Sequence, residues 1–122
     1  MDDTAGISDL LGIEVGEDRV TVRTGPQHSN VAGGIHGGLI ATLVDMAMGR
    51  AVRAALDEDA KTVTLQLSVT YLNAAKPGDV LHARAELGKK GSRIAMLEAD
   101  VTDDEGTDIA HAAGTFMVVE DD

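Results

Sequence analysis

Residues 37–56, GGLIATLVDMAMGRAVRAAL, are the one stretch of this 122-residue chain able to make a long apolar helix. They contain no proline, and apolar side chains recur at Leu39, Ile40, Leu43, Val44, Ala47, Met48, Ala51, Val52 and Leu56. Those positions cover nearly the whole circumference, so the helix is expected to be buried on most sides and the rest of the chain must enclose it. One acidic residue, Asp45, sits in its middle. An unpaired buried carboxylate costs several kcal/mol or takes up a proton. Asp45 therefore needs hydrogen-bonding partners, a wet cavity or a proton.

A loop with glycines at 33, 34, 37 and 38 around Ile35 and His36 runs into this helix. The first-turn amides of a helix have no intrahelical acceptor and carry the positive end of its dipole. Gly37 and Gly38 are thus candidates to hold an anion or a developing oxyanion. Neither the GK[ST] ending of a Walker loop nor the GxGxxG of a dinucleotide fingerprint is present. Gly37 and Asp45 lie eight residues apart on one helix, roughly 12 Å along its axis. A carboxylate that distant cannot serve a carbonyl held at the start of its own helix. If both act on one substrate, Asp45 must come from a second, antiparallel copy, and a composite site across a homodimer is expected.

The other segments read mainly as strands. Residues 4–11 are expected to form a short helix that ends at Gly12 and packs Ile7, Leu10 and Leu11. Residues 12–25 alternate as two short strands turning at Gly16, Glu17 and Asp18. In the clearest strand Val63, Leu65, Leu67, Val69 and Tyr71 alternate with Thr64, Gln66, Ser68 and Thr70, which predicts one buried and one polar face. Strands over 81–87, 93–102 and 109–119 follow, separated by turns at Pro77 and Gly78, at 89–92 and at 103–106. The expected class is α+β: a single domain over residues 1–122, with one antiparallel sheet ending in a four-strand meander and curled around one helix.

Charge bears on partners. Against 10 Lys and Arg stand 21 Asp and Glu, a formal net charge of −11. Nucleic acid demands a basic face, so it is not expected as a partner. The acids gather at Asp2 and Asp3, at 57–59, at 103–105 and at 120–122, as on a salt-adapted surface or an ordinary acidic cytosolic one. Cysteine is absent, which removes disulfides and thiolate metal sites. No apolar run approaches the ~20 residues of a spanning helix and the N-terminus is acidic, so no membrane partner and a cytoplasmic location are expected. His28, His82 and His111 show no ligand spacing with His36, and no metal is expected.

The run Asn30, Gly33, His36, Gly37, Gly38, Asp45 and Ala47, written N-x-x-G-x-x-H-G-G-x6-D-x-A, resembles the hotdog-fold acyl-CoA thioesterases of the PaaI-like group. The likeness extends to DLLGIEV at 9–15 and to TVTLQLSVTYLNAAKPGD at 62–79, with Ala74 where the family often has proline. It implies a hotdog fold, a sheet wrapped around a long central helix. It also implies hydrolysis of an aryl or medium-chain acyl-CoA to a carboxylic acid and free CoA, without cofactor or metal. A homodimer, assembled as a dimer of dimers, would carry the shared sites. Rival readings are a hotdog hydratase or dehydratase, a non-catalytic acyl-CoA-binding module, and a structural homo-oligomer.

The resemblance makes Asp45 the general base or nucleophile, where the residues alone would also allow pairing with Arg50 or a threonine. Gly37 takes the oxyanion role through its amide, although four glycines also permit tight packing. Asn30 would orient water or thioester, or simply form a turn. His36 is a base, a donor to substrate or a support for the loop. Thr64 matches a position that steadies the water in some relatives, yet alternation turns it away from Val63 and Leu65 unless a bulge re-aims it. Lys89, Lys90 and Arg93 bring three of the ten basic residues to one hairpin tip, a candidate anchor for CoA phosphates or a solvated turn.

Overall fold

A computed structural model describes residues 6–57 and 59–119. Asp2, Asp3, Glu58, Glu120, Asp121 and Asp122, counted above among the clustered acids, lie outside that range, as do Thr4 and Ala5 of the expected first helix. The elements are α1 (Ile7–Leu11), β1 (Ile13–Val15), β2 (Val20–Arg23), a 3-10 turn (Pro26–His28), α2 (Gly37–Ala55), β3 (Lys61–Tyr71), β4 (Val80–Lys90), β5 (Ile94–Asp103) and β6 (Asp108–Val119). All strands join one antiparallel sheet in the order β1-β2-β4-β5-β6-β3. The sheet curls around α2, which gives the hotdog fold.

Helix α2 is enclosed as its residues require. Leu39, Ile40, Leu43, Val44, Ala47, Met48 and Val52 are buried, while Leu56, just past its end, is exposed. Facing them on the sheet are Leu81, Ala83, Ala95, Leu97, Ala99, Val101, Ala110, Ala112 and Phe116, all buried. With a single phenylalanine, the sheet lines its inner face largely with alanine, and small side chains let a helix lie close against strands. Truncating a fully buried residue such as Leu43 to alanine costs about 2–5 kcal/mol.

The topology corrects the expected four-strand meander. Only β4, β5 and β6 form a meander, and β3 lies beyond β6 at the far edge. From β2 the chain crosses the sheet through α2, descends β3, and returns along residues 72–79 to place β4 against β2. The return is pinned by backbone bonds from Ile35 N–H to Ala75 C=O and from Thr24 N–H to Asp79 C=O.

β3 also departs from the single buried stripe read from its alternation. Its register on β6 slips between Thr64 and Gln66: Thr64 pairs with Phe116 and Gln66 with Thr115, leaving Leu65 as an extra residue. Before this bulge Thr62 and Thr64 face the helix; after it Leu67, Val69 and Tyr71 do. Val63 and Leu65 turn out of the core, 46% and 51% exposed, on the same sheet as exposed Ile94 and Met96. The first helix is corrected too. Within α1, Ser8 is buried and Leu11 partly so, while Ile7 and Leu10 are exposed, Leu10 to 81%. Five residues make little more than one turn, and Ser8 and Leu11, three apart, take the inward side.

No helix among the described residues is long and apolar enough to cross a membrane.

Candidate active site

The loop before α2 is shaped by Asn30. Its Oδ1 accepts hydrogen bonds from the amides of Ala32 (2.9 Å) and Gly34 (3.2 Å), and its backbone N–H donates to Gly34 C=O at 2.8 Å. The turn-forming role and the site position hold together, because Asn30 also lines a cavity of about 540 Å³ with Gly37, Gly38, Ile35, Ile40 and Tyr71. The residue replacing the family's proline, Ala74, lies in the same wall.

His36 caps α2: its Nδ1 accepts the Gly38 N–H at 2.8 Å. In the neutral ring the proton then sits on Nε2, which makes Nε2–H the donor His36 has to offer. The bond also decides between the two glycine amides. Gly38 N–H, expected as a second anion donor, is occupied within the loop, and Leu39 N–H donates to His36 C=O at 3.0 Å. Gly37 N–H has no acceptor among the described residues. Of the two glycine amides, that of Gly37 is the one left open. Both glycines are closely approached by a ring: a Cβ on Gly37 would lie 3.2 Å from Cζ and Oη of Tyr71, and one on Gly38 would lie 2.9 Å from His36 Nδ1, so either ring would have to shift.

Asp45 is two turns further along α2 and does not line this cavity. Its Oδ1 accepts a hydrogen bond of 2.6 Å from Thr64 Oγ1, while Arg50 donates through Nε to Gly16 C=O. The pairing with a threonine, one of the two partners foreseen for a purely structural carboxylate, is present, and the pairing with Arg50 is not. Thr64 reaches Asp45 because the bulge at Leu65 turns it inward. Asp45 Oδ2 has no partner among the described residues.

The candidate residues therefore fall into two groups. Asn30, His36, Gly37 and Gly38 gather at the start of α2 beside Tyr71; Asp45 and Thr64 form a separate pair. Along β3, Thr64 and Tyr71 are seven residues apart, roughly 20 Å at about 3.3 Å per residue. Lys89 and Lys90 end β4, and Arg93 lies in the hairpin that follows, at the end of the sheet where β3 begins and far from Tyr71. None of the three lines the cavity.

The other histidines are occupied elsewhere. His28 is buried, accepting from Gly25 N–H at Nδ1 and bonded through Nε2 to Leu11 C=O. His82 joins Thr21 Oγ1 to Asp104, and His111 on the outer sheet face bonds Asp100 at 2.8 Å. Among the described residues no group of three or more His, Asp or Glu is arranged to hold a metal ion. Tyr71 lies within the family-like stretch 62–79 but is not among the site residues expected from the sequence. Its signal was being the one tyrosine in a chain with a single phenylalanine and no tryptophan, at the end of an otherwise aliphatic strand.

Residues 32–110 match the thioesterase superfamily. A Halobacterium salinarum protein named provisionally as an esterase is 36% identical, with 98% of this chain and 89% of that protein covered. Mouse acyl-coenzyme A thioesterase 13 is 36% identical over 62% of this chain and 54% of its own length. The Bacillus halodurans protein solved with CoA superposes with a TM-score of 0.85 at 32% identity, covering 93% of this chain and 75% of that one. With the helix-wrapping sheet and the loop-capped helix in place, this chain belongs to the thioesterase superfamily, as a hotdog-fold thioester hydrolase.

Proposed function

We propose that the protein hydrolyses an acyl-CoA thioester to a carboxylic acid and free CoA, at sites each assembled from both subunits of a homodimer. One observation carries the reading: the unpartnered Gly37 amide and the Asp45–Thr64 pair lie too far apart to meet on one carbonyl, and the strand joining them is an open edge. An eleven-residue edge strand is a template for pairing. A two-fold axis crossing β3 near Leu67 and Ser68 would set Thr64 of one copy across from Tyr71 of the other. Asp45 of one subunit then faces Gly37, His36 and Asn30 of the second. The same rotation carries Lys89, Lys90 and Arg93 of one copy toward the loop end of the other, where CoA phosphates would need cations.

In such a site Asp45 takes a proton from water as it attacks the carbonyl carbon, with Thr64 fixing the carboxylate. The alternative is direct attack to give an anhydride that water opens; single turnover in ¹⁸O-water puts label into Asp45 only by that second route. Gly37 N–H and the helix dipole stabilise the oxyanion, and collapse of the tetrahedral intermediate expels the CoA thiolate. The mostly apolar cavity beside Gly37 supports an aryl or medium-chain acyl group. A binding module would keep the loop but have no use for a carboxylate held by a threonine. For the dimer of dimers, the outer sheet patch with Val63, Ile94 and Met96 is the surface on offer. The acidic surface and the likeness to a Halobacterium salinarum protein support salt adaptation in the cytoplasm.

Subunit mixing tests the composite site. Asp45→Asn and Gly37→Val chains, each inactive as a folded homodimer, are co-expressed and thiol release from acyl-CoA esters is followed at low and molar salt. A shared site restores about a quarter of wild-type activity, because half the dimers are mixed and each carries one intact site. No recovery in verified mixed dimers would place the whole site in one subunit.

A further inference from the structure

We infer that Tyr71 is a positioning residue for the oxyanion-binding amide, a role that rests on the thioesterase reading above. Gly37 and Gly38 form the most flexible dipeptide a chain can contain, and an oxyanion donor is effective only if its direction is fixed beforehand. The peptide group between them is held at both ends. Its carbonyl, on Gly37, accepts the Tyr71 hydroxyl at 2.7 Å, and its N–H, on Gly38, donates to His36 Nδ1 at 2.8 Å. The preceding peptide is held through His36 C=O by Leu39 N–H. Rotation is blocked on either side of Gly37, and its own N–H is the group left over.

The two rings act sterically as well. Tyr71 occupies the space a Cβ on Gly37 would need, and His36 does the same at Gly38, so each glycine is pressed by the ring that hydrogen-bonds its peptide. Tyr71 is 51% exposed and shares the cavity wall with Gly37, while Phe116, the other aromatic residue, is 98% buried. The tyrosine thus contributes little to the core. The hydroxyl acts through the backbone, since its hydrogen bond goes to a carbonyl that cannot itself stabilise an oxyanion.

Tyr71→Phe removes the hydroxyl and keeps the ring, and the full-length dimer is compared with wild type by two readouts. The first is amide hydrogen exchange at Gly37 and Gly38 by ¹⁵N NMR without ligand; the second is kcat and KM for an acyl-CoA ester. The expected result is Gly38 exchange faster by about 10-fold, kcat lower by about 10-fold and KM within about 2-fold of wild type, with an unchanged melting temperature. Unchanged exchange and kinetics overturn the inference. So does a rise in KM alone, which would make the hydroxyl a substrate contact, or a fall in kcat with unchanged exchange, which would place it on the reacting atoms. If wild type hydrolyses no ester the proposed function fails, and exchange at Gly38 still decides whether Tyr71 fixes the loop.

Discussion

β3 reaches α2 with a side-chain hydrogen bond near each of its ends, and the two contacts are made of different material. Near its start, Thr64 donates to the Asp45 carboxylate, side chain to side chain, around a group that can accept a proton. At its end, Tyr71 donates to the Gly37 carbonyl, side chain to backbone, around a peptide that can only be aimed. On the proposed function, the first contact prepares a reagent and the second prepares a geometry. A catalyst for thioester hydrolysis needs both, and one chain holds them at opposite ends of a strand.

The largest expected effect tests the reagent. Asp45→Asn keeps the shape and the hydrogen bond from Thr64 but removes the proposed base, and kcat should fall by about 10³-fold at an unchanged melting temperature, measured by thiol release. Comparable activity in that variant would remove the functional distinction between the two contacts. Gly37→Ala drives a methyl group to 3.2 Å from the Tyr71 ring and displaces the amide. A loss of about 10²-fold in kcat is expected, close to the value of one oxyanion donor. Thr64→Val, with the carboxylate retained, should lower kcat by about 10-fold, since a hydrogen bond to a charged group contributes about 1.5–3 kcal/mol.

The smallest effect comes from outside both contacts and serves as their control. The hydrogen bond to Asp100 raises the pKa of His111 above its usual 6.5, helped by the charges of Asp100 and Glu98 and opposed by burial. A raised folded-state pKa gives stability that is complete below the unfolded value and is lost as pH rises through the folded one. His111→Gln should therefore lower the melting temperature slightly near pH 5.5, with the difference vanishing by about pH 8.5 and kcat unchanged throughout. A melting difference that persists at high pH would show that packing, rather than charge, is what His111 supplies.

The sequence disclosed what is local and concealed what is set between strands. α2 and its carboxylate were legible because an apolar residue pattern without proline leaves few alternatives, and the loop was legible from its glycines. The place of β3 at the sheet edge was not, because alternation describes the faces of a strand and says nothing of its neighbours. Neither was the direction of the Gly38 amide, which depends on a rotamer of His36. Ile7 and Leu10 were misplaced because a five-residue helix gives too short a pattern to fix its phase.

The bulge at Leu65 is a matter of parity. Thr64 and Tyr71 are an odd number of residues apart, and in an unbroken strand odd separations put two side chains on opposite faces. One surplus residue changes odd to even, so both can turn toward the same helix. The same surplus sends Val63 outward, and the hydroxyl at Asp45 and the apolar patch on the outer sheet are a single event seen from two sides. Deleting Leu65 would bring the separation of Thr64 and Tyr71 to six, so on a regular strand the two would still share a face, Val63 would stay outside, and the strand would lose its bulge without losing its hold on the carboxylate.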